Sequence, residues 1–364
     1  MRVLVVNAGS SSLKLTLLDG TDTTIAAREL EAPRAQVDPE ELRAALDSLG
    51  EADAVGHRIV HGGERFREAV RIDADVETAM RELADLAPLH QRKSLAALDA
   101  VTRALPNLPA VACFDTAFHA TIPAAAATYA LPAEWRERWG LRRYGFHGLS
   151  HAWVARRTPE LLERDASGLR IVSCHLGAGA SLCAINDGTS LDTTMGFTPL
   201  DGLVMATRSG SVDPGLLLWL LEHERLSAVE LAEALEHDAG LKGLAGTPDM
   251  REVLLRAERG DESARLARDV YVHRLRAGIA AMAAALGGID ALVFTGGVGE
   301  RSPEVRTRTV AGLGFLGASL DEARNQSATT DAQIGADGAY VRTLVLTTHE
   351  DHEIARQVRS VLGR

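Results

Sequence analysis

Two stretches of this chain follow one plan. Residues 2 to 20 run as an apolar strand (Val3-Leu4-Val5-Val6), a small-residue turn (Asn7-Ala8-Gly9-Ser10-Ser11-Ser12), a returning strand from Leu13 to Leu18, and Asp19-Gly20. Residues 170 to 188 repeat it as Ile171-Val172-Ser173-Cys174, the turn His175-Leu176-Gly177-Ala178-Gly179-Ala180, a strand from Ser181 to Ile185, and Asp187-Gly188. One offset of 168 places Asn7 on His175, Gly9 on Gly177 and the first Asp-Gly on the second. Strand-glycine-strand segments are common enough to coincide by chance, but the aligned closing dipeptides favour a duplication. A duplicated chain folds as two similar domains, and 364 residues suffice for two at roughly 150 each.

Hydrophobic residues make up 46% and charged ones 24%, enough apolar surface for a sizeable core. Acidic residues outnumber basic ones 50 to 39, a net charge of -11 that argues against nucleic acid as a partner. The longest uncharged apolar stretch, residues 277 to 289, falls short of the roughly 20 residues that span a bilayer. It reads as a buried helix, so no membrane association is expected. The run Val3 to Val6 is too short for a signal-peptide core. Cys113, Cys174 and Cys183 are odd in number and lie in apolar, strand-like segments, which suits packing better than disulfides or metal ligation. A reducing, cytoplasmic setting is the expectation.

Apolar spacing predicts helices over 76–84, 94–105, 216–224, 228–236 and 263–286, and strands over 109–114, 291–294 and 343–346. A last helix from about Asp351 is expected to pack back on the first domain. Strands and helices mix throughout, which places the chain in the α/β class.

Backbone N–H groups of a tight Gly/Ser turn converge on a concavity suited to phosphate oxygens, and Lys14 follows the first turn as a mobile cation. With Gly296-Gly297-Val298-Gly299-Glu300, the two turns look like walls of one nucleotide cleft between two lobes; three structural turns are the alternative. Three more segments concentrate polar groups between glycines: Gly56-His57-Arg58-Ile59-Val60-His61-Gly62-Gly63-Glu64, Tyr144-Gly145-Phe146-His147-Gly148-Leu149-Ser150-His151, and residues 206–214. A guanidinium in the first could clamp a carboxylate or phosphoryl group with two parallel hydrogen bonds. The pairs His57/His61 and His147/His151 have the i, i+4 spacing of a helical zinc site, but the adjacent glycines argue against a continuous helix. His90, His119, His223, His237 and His273 read as core or surface residues.

The segments Asn7 to Lys14, Gly56 to Glu64, Phe114-Asp115-Thr116-Ala117-Phe118-His119, Tyr144 to Gly148, His175-Leu176-Gly177, Met195-Gly196-Phe197-Thr198-Pro199-Leu200, Thr207-Arg208-Ser209-Gly210-Ser211 and Phe294 to Glu300 together resemble the acetate kinase family, in order and over nearly the whole chain. The resemblance implies a duplicated actin-like (ribonuclease H-like) two-domain α/β fold with an interdomain nucleotide cleft. It sets an N-terminal lobe at 1–119, rejoined by a C-terminal helix 350–364, and a C-terminal lobe at 120–349. It implies reversible transfer of the γ-phosphoryl group of ATP to acetate with Mg²⁺ or Mn²⁺, in a homodimer.

By the same resemblance, Arg58 binds the acetate carboxylate, Arg208 and His147 stabilise the equatorial oxygens, and Asp115 is the essential acidic residue, expected to orient the arginines or a magnesium-bound water. Val60, Leu89, Phe146 and Pro199 match the wall around the methyl group. Asn7 and Glu350 match the magnesium positions. Ser10, Ser12, Lys14 and His175, Leu176, Gly177, Ala178 and Gly179 match the phosphate contacts. Asp249, Met250, Arg251 with Gly297, Val298, Gly299, Glu300 and Arg301 match the adenosine pocket. The chain departs from the family pattern at four places: Ala178, Arg301 and His349 each stand where it has asparagine, and Gln91-Arg92 where it has asparagine-proline. The segment between Gly20 and Gly56 is also shorter than the pattern. The alternatives are a propionate or butyrate kinase, another phosphoryl donor, or an actin-like nucleotide-binding module without transfer activity.

Overall fold

The computed structural model describes residues 1–9, 12–31, 38–83 and 88–363, with 88–90 described through their backbone alone. Contacts divide the chain into two compact units. The first comprises Met1–Ala120, Phe146–Trp153 and His349–Arg364, and the second Thr121–Gly145 and Val154–Thr348. The first unit thus takes in Phe146–Trp153, a segment beyond the boundary expected near residue 119.

Each unit holds a six-stranded sheet. In the first, β1 (Val3–Ala8), β2 (Ser12–Leu18), β3 (Thr24–Glu31), β4 (Ala54–Ile59), β5 (Val70–Arg71) and β6 (Ala110–Phe114) lie in the order β3-β2-β1-β4-β6-β5. In the second, β7 (Arg170–Leu176), β8 (Ala180–Asn186), β9 (Thr189–Thr193), β10 (Ala291–Thr295), β11 (Ala332–Gln333) and β12 (Arg342–Val345) lie in the order β9-β8-β7-β10-β12-β11. Both sheets run from an antiparallel three-stranded meander through two parallel pairs to an antiparallel edge strand. Adding 168 to Ser12–Leu18 gives Ala180–Asn186, the bounds of β8. The duplication read from the hairpins therefore extends through the whole sheet.

The central strands are apolar on both faces because helices cover both. From β1, Leu4 and Val6 face Leu42 and Leu46 of the helix Pro39–Leu49 and Ala97 and Val101 of the helix Pro88–Ala104. Val3 and Val5 face Ile354, Ala355 and Val358 of the C-terminal helix Glu350–Leu362. That helix lies so close to β4 that a Cβ on Gly56 would stand 2.6 Å from Ile354 Cγ2 and 2.7 Å from Val358 Cγ2. Gly56→Ala is expected to lower stability by about 1 to 3 kcal/mol through overpacking, read from denaturant unfolding.

Two expectations are revised, and one strand was not expected. β3 gave no signal because its residues are largely exposed and carry no apolar stripe. The helix begun at Ala228 ends at Glu233 and continues as a π turn, Ala234–Asp238. The expected turn at 296–300 is already a helix, Gly296–Arg301, entered through Gly296 at φ 77°, where a Cβ would stand 2.9 Å from the Leu176 backbone. The three cysteines are buried and form no disulfide, and no described helix is long and apolar enough to cross a membrane.

Candidate active site

β1, β4 and β6 are parallel neighbours, and their C-terminal ends carry Asn7, Arg58 and, just past β6, Asp115. Such strand ends are where open α/β sheets bind ligands. Arg58 donates to Asp115 through Nε to Oδ1 at 2.9 Å and Nη2 to Oδ2 at 2.6 Å, a two-pronged pair, and through Nη1 to Asn7 Oδ1 at 3.1 Å. Asn7 Nδ2 donates to Glu350 Oε2 at 3.1 Å, and that carboxylate lies 4.0 Å from Arg58 Nε. Burial pulls the Arg58 pKa down, but Asp115 and Glu350 outweigh it and hold the guanidinium above its ordinary value.

His147 precedes the helix Gly148–Leu162 at φ 56°, a left-handed backbone uncommon outside glycine and asparagine. The turn is tied to the strand end, since Gly148 N–H donates to Asp115 O at 2.8 Å and a Cβ at Gly148 would overlap that oxygen. His119, read as a core or surface residue, is buried and places Nε2 3.0 Å from the Phe146 carbonyl. Val60 and Phe146 are buried in this unit, while the Leu89 side chain and Ser10 lie outside the described residues.

The departure at Gln91 has a structural reason. Its buried amide accepts from His61 N–H at 2.9 Å and donates to His61 O at 3.0 Å, bracing the segment that follows β4. His57 lies in β4, not on a helix, and burial drives its pKa down to about 3, so its imidazole is neutral. Lys14 is more than half exposed, 3.9 Å from Glu29, and Ser12 Oγ donates to the same carboxylate at 2.6 Å.

In the second unit, half-buried Arg208 donates through Nη1 to the carbonyl of buried Pro199 at 2.7 Å. No carboxylate lies within ion-pair distance of it among the described residues, and burial lowers its pKa against the pull of Glu236. The π turn holds this loop, because Ser209 N–H donates to Leu235 O at 3.1 Å and Thr207 Oγ1 to Glu236 O at 2.8 Å. Such turns are over-represented at functional sites, and spacing alone does not reveal them.

The same unit holds a cavity of about 890 Å³. Of the residues expected around adenosine or phosphate, Gly177, Ala178, Asp249, Met250, Arg251, Gly297, Val298 and Arg301 line it. His175, Leu176, Gly179, Gly299 and Glu300 are not among its walls. Glu300 Oε1 instead accepts from Gly296 N–H at 2.9 Å and from Thr348 N–H at 2.9 Å, fixing the glycine-rich helix start. Asp249 caps the helix Met250–Glu258 and pairs with Arg251 at 2.6 Å. Leu254, Leu255 and buried Tyr271 also line the cavity; they carried no motif and look like ordinary helix residues in the sequence.

A model of the acetokinase family matches residues 35–356. An acetate kinase from Nostoc punctiforme is 50% identical over 318 residues, covering 87% of this chain and 78% of that protein. The crystal structure of Porphyromonas gingivalis acetate kinase superposes with a TM-score of 0.90 at 36% identity over 99% of both chains. A propionate kinase from Francisella tularensis superposes with a TM-score of 0.89 at 33% identity over 98% of both. With these matches spanning both units, the chain belongs to the acetokinase family and is a kinase.

Proposed function

We propose that this chain transfers the γ-phosphoryl group of ATP to acetate, giving acetyl phosphate and ADP, with Arg58 as the acetate-binding residue. The observation that carries this reading is the Asp115–Arg58–Asn7–Glu350 network at the ends of three parallel strands. Acetate is already an anion near neutral pH, so the reaction needs no base. Arg58 has five N–H donors, and its partners use three, leaving one on each Nη for a carboxylate. Asp115, with both oxygens accepting from Arg58, is a positioning residue that fixes the guanidinium plane. Arg208, a half-buried cation without a counter-ion among the described residues, suits the charge spread over the phosphoryl oxygens, with His147 as its second donor. An acetate oxygen forms the new bond to phosphorus as the bond to the ADP oxygen breaks, and ADP leaves with that electron pair.

Glu350 and Asn7 offer one carboxylate and one amide oxygen, a sparse hard-donor set that fits Mg²⁺ or Mn²⁺ arriving with its phosphates and waters. Such an ion would neutralise charge on the phosphates. The test is trapping of the acyl phosphate as its hydroxamate with acetate, propionate and butyrate, using ATP or pyrophosphate. Acetate with ATP is expected to be best, and propionate poorer by about 1 to 3 kcal/mol, as one methylene allows. Product from pyrophosphate and none from ATP would overturn the donor; equal rates with all three acids would overturn the acceptor.

On the donor side, Ala178 lacks an amide and Arg301 adds an exposed charge at the cavity. Ala178→Asn with Arg301→Asn is expected to tighten ATP binding and reduce its salt dependence, measured by calorimetry, with acetate preference unchanged. A homodimer is supported by the helix Pro214–Glu222, which buries none of its residues and exposes Leu216, Leu218 and Trp219. Light scattering is expected to give twice the 38.8 kDa chain mass. Three buried cysteines outside any disulfide support a reducing, cytoplasmic setting.

A further inference from the structure

We propose that His349, Asp351 and His352, at the start of the C-terminal helix, form a site for a borderline divalent ion of the Zn²⁺ and Co²⁺ class, separate from Asn7 and Glu350. One ligand atom from each residue lies within 4.8 Å of the others. His349 Nδ1 and Asp351 Oδ1 are 3.7 Å apart. A tetrahedral ion with bonds of about 2.0 to 2.2 Å separates its ligand atoms by about 3.4 Å, so this pair already approximates one edge of the polyhedron.

The two imidazoles are stacked, with centroids 4.3 Å apart and planes 28° from parallel. His349 is the residue before the helix and His352 lies in its first turn. The Trp153 indole packs edge-on against both, at 5.2 Å from His349 and 5.5 Å from His352, and limits their rotation. All three candidate ligands are half-buried, so a hydrated ion can reach them. Glu350, between them in sequence, turns to Asn7 instead. The pairs His57/His61 and His147/His151 belong to no such cluster among the described residues.

Two imidazole nitrogens with one carboxylate, leaving a position for water, are the donor set of Zn²⁺ and Co²⁺; Mg²⁺ prefers six oxygens. Selectivity against Mg²⁺ therefore follows from the ligand atoms. His349 is one of the residues at which the chain departs from the pattern of its family, so the site is a property of this sequence.

The metal-free full chain is titrated with Co²⁺ in excess Mg²⁺, reading tryptophan emission and the visible absorption of Co²⁺. One equivalent is expected to bind with quenching that disappears in Trp153→Phe, and Mg²⁺ is expected not to displace it. His352→Ala and Asp351→Asn are expected to weaken binding by about tenfold or more, since even outer-shell partners contribute that much. Acetyl phosphate formation with Mg²⁺ and a native circular dichroism spectrum show that each variant is folded. Absence of Co²⁺ binding to the unmodified chain overturns the proposal. So does equal affinity in the unmodified chain and both variants, or displacement by Mg²⁺ at matching concentration, which places the ion on Glu350 and Asn7.

Discussion

Arg208→Ala is expected to lower kcat by about 10²- to 10³-fold, or about 2.7 to 4 kcal/mol, the loss seen when one preorganised donor to a transition-state charge is removed. Its melting temperature should scarcely move. The folded chain loses one hydrogen bond, to Pro199 O, worth about 1 kcal/mol, and is relieved of a half-buried charge without a carboxylate partner. An ordinary structural arginine behaves the opposite way, with a large effect on stability and a small one on turnover. Steady-state acetyl phosphate formation alongside a thermal melt separates the two. Near-normal turnover in the folded variant would remove Arg208 from the transition state.

Arg58→Ala is expected to show both effects at once. Turnover falls by a similar factor and the acetate KM rises, because the proposed role has the residue meeting the acceptor in the ground state as well as the transition state. Stability falls as well, by about 3 to 5 kcal/mol, since Asp115 is 1% exposed and loses its guanidinium partner. The double variant Arg58→Ala/Asp115→Ala is expected to recover part of the stability and none of the turnover. Unfolding curves and kinetics on the same three proteins check this. Recovery of turnover in the double variant would mean that Arg58 serves only to neutralise Asp115.

How much of this was legible in the sequence depended on whether the signal was local. The hairpins at Asn7 and His175 share a turn chemistry and an apolar alternation that survive in a single sequence, and they located both sheets. The role of Asp115 came from the family resemblance, and its place after a buried strand was legible. The reason for its importance was not, because its partner Arg58 is 57 residues away and meets it only through the β4–β6 pairing. Gly148 looked like part of a polar loop, and only the proximity of the Asp115 carbonyl explains it. Glu300 was read toward the adenosine pocket, whereas it holds the N–H groups of Gly296 and Thr348; Gln91, read only as a departure from the family pattern, holds that of His61. Tyr271 and Leu254 were invisible because a residue that lines a cavity from a helix has the same spacing as one that fills a core.

The central claim is that acetate attacks the γ-phosphorus directly, with Asp115 held by Arg58 and taking no part in covalent chemistry. It is tested most directly by incubating the enzyme with γ-labelled ATP and Mg²⁺, first without acetate and then with it. The account predicts no acid-stable or hydroxylamine-labile label on the protein in the first incubation, and label only in acetyl phosphate in the second. Label on the protein that chases into acetyl phosphate when acetate is added, and is absent from Asp115→Asn, would contradict it.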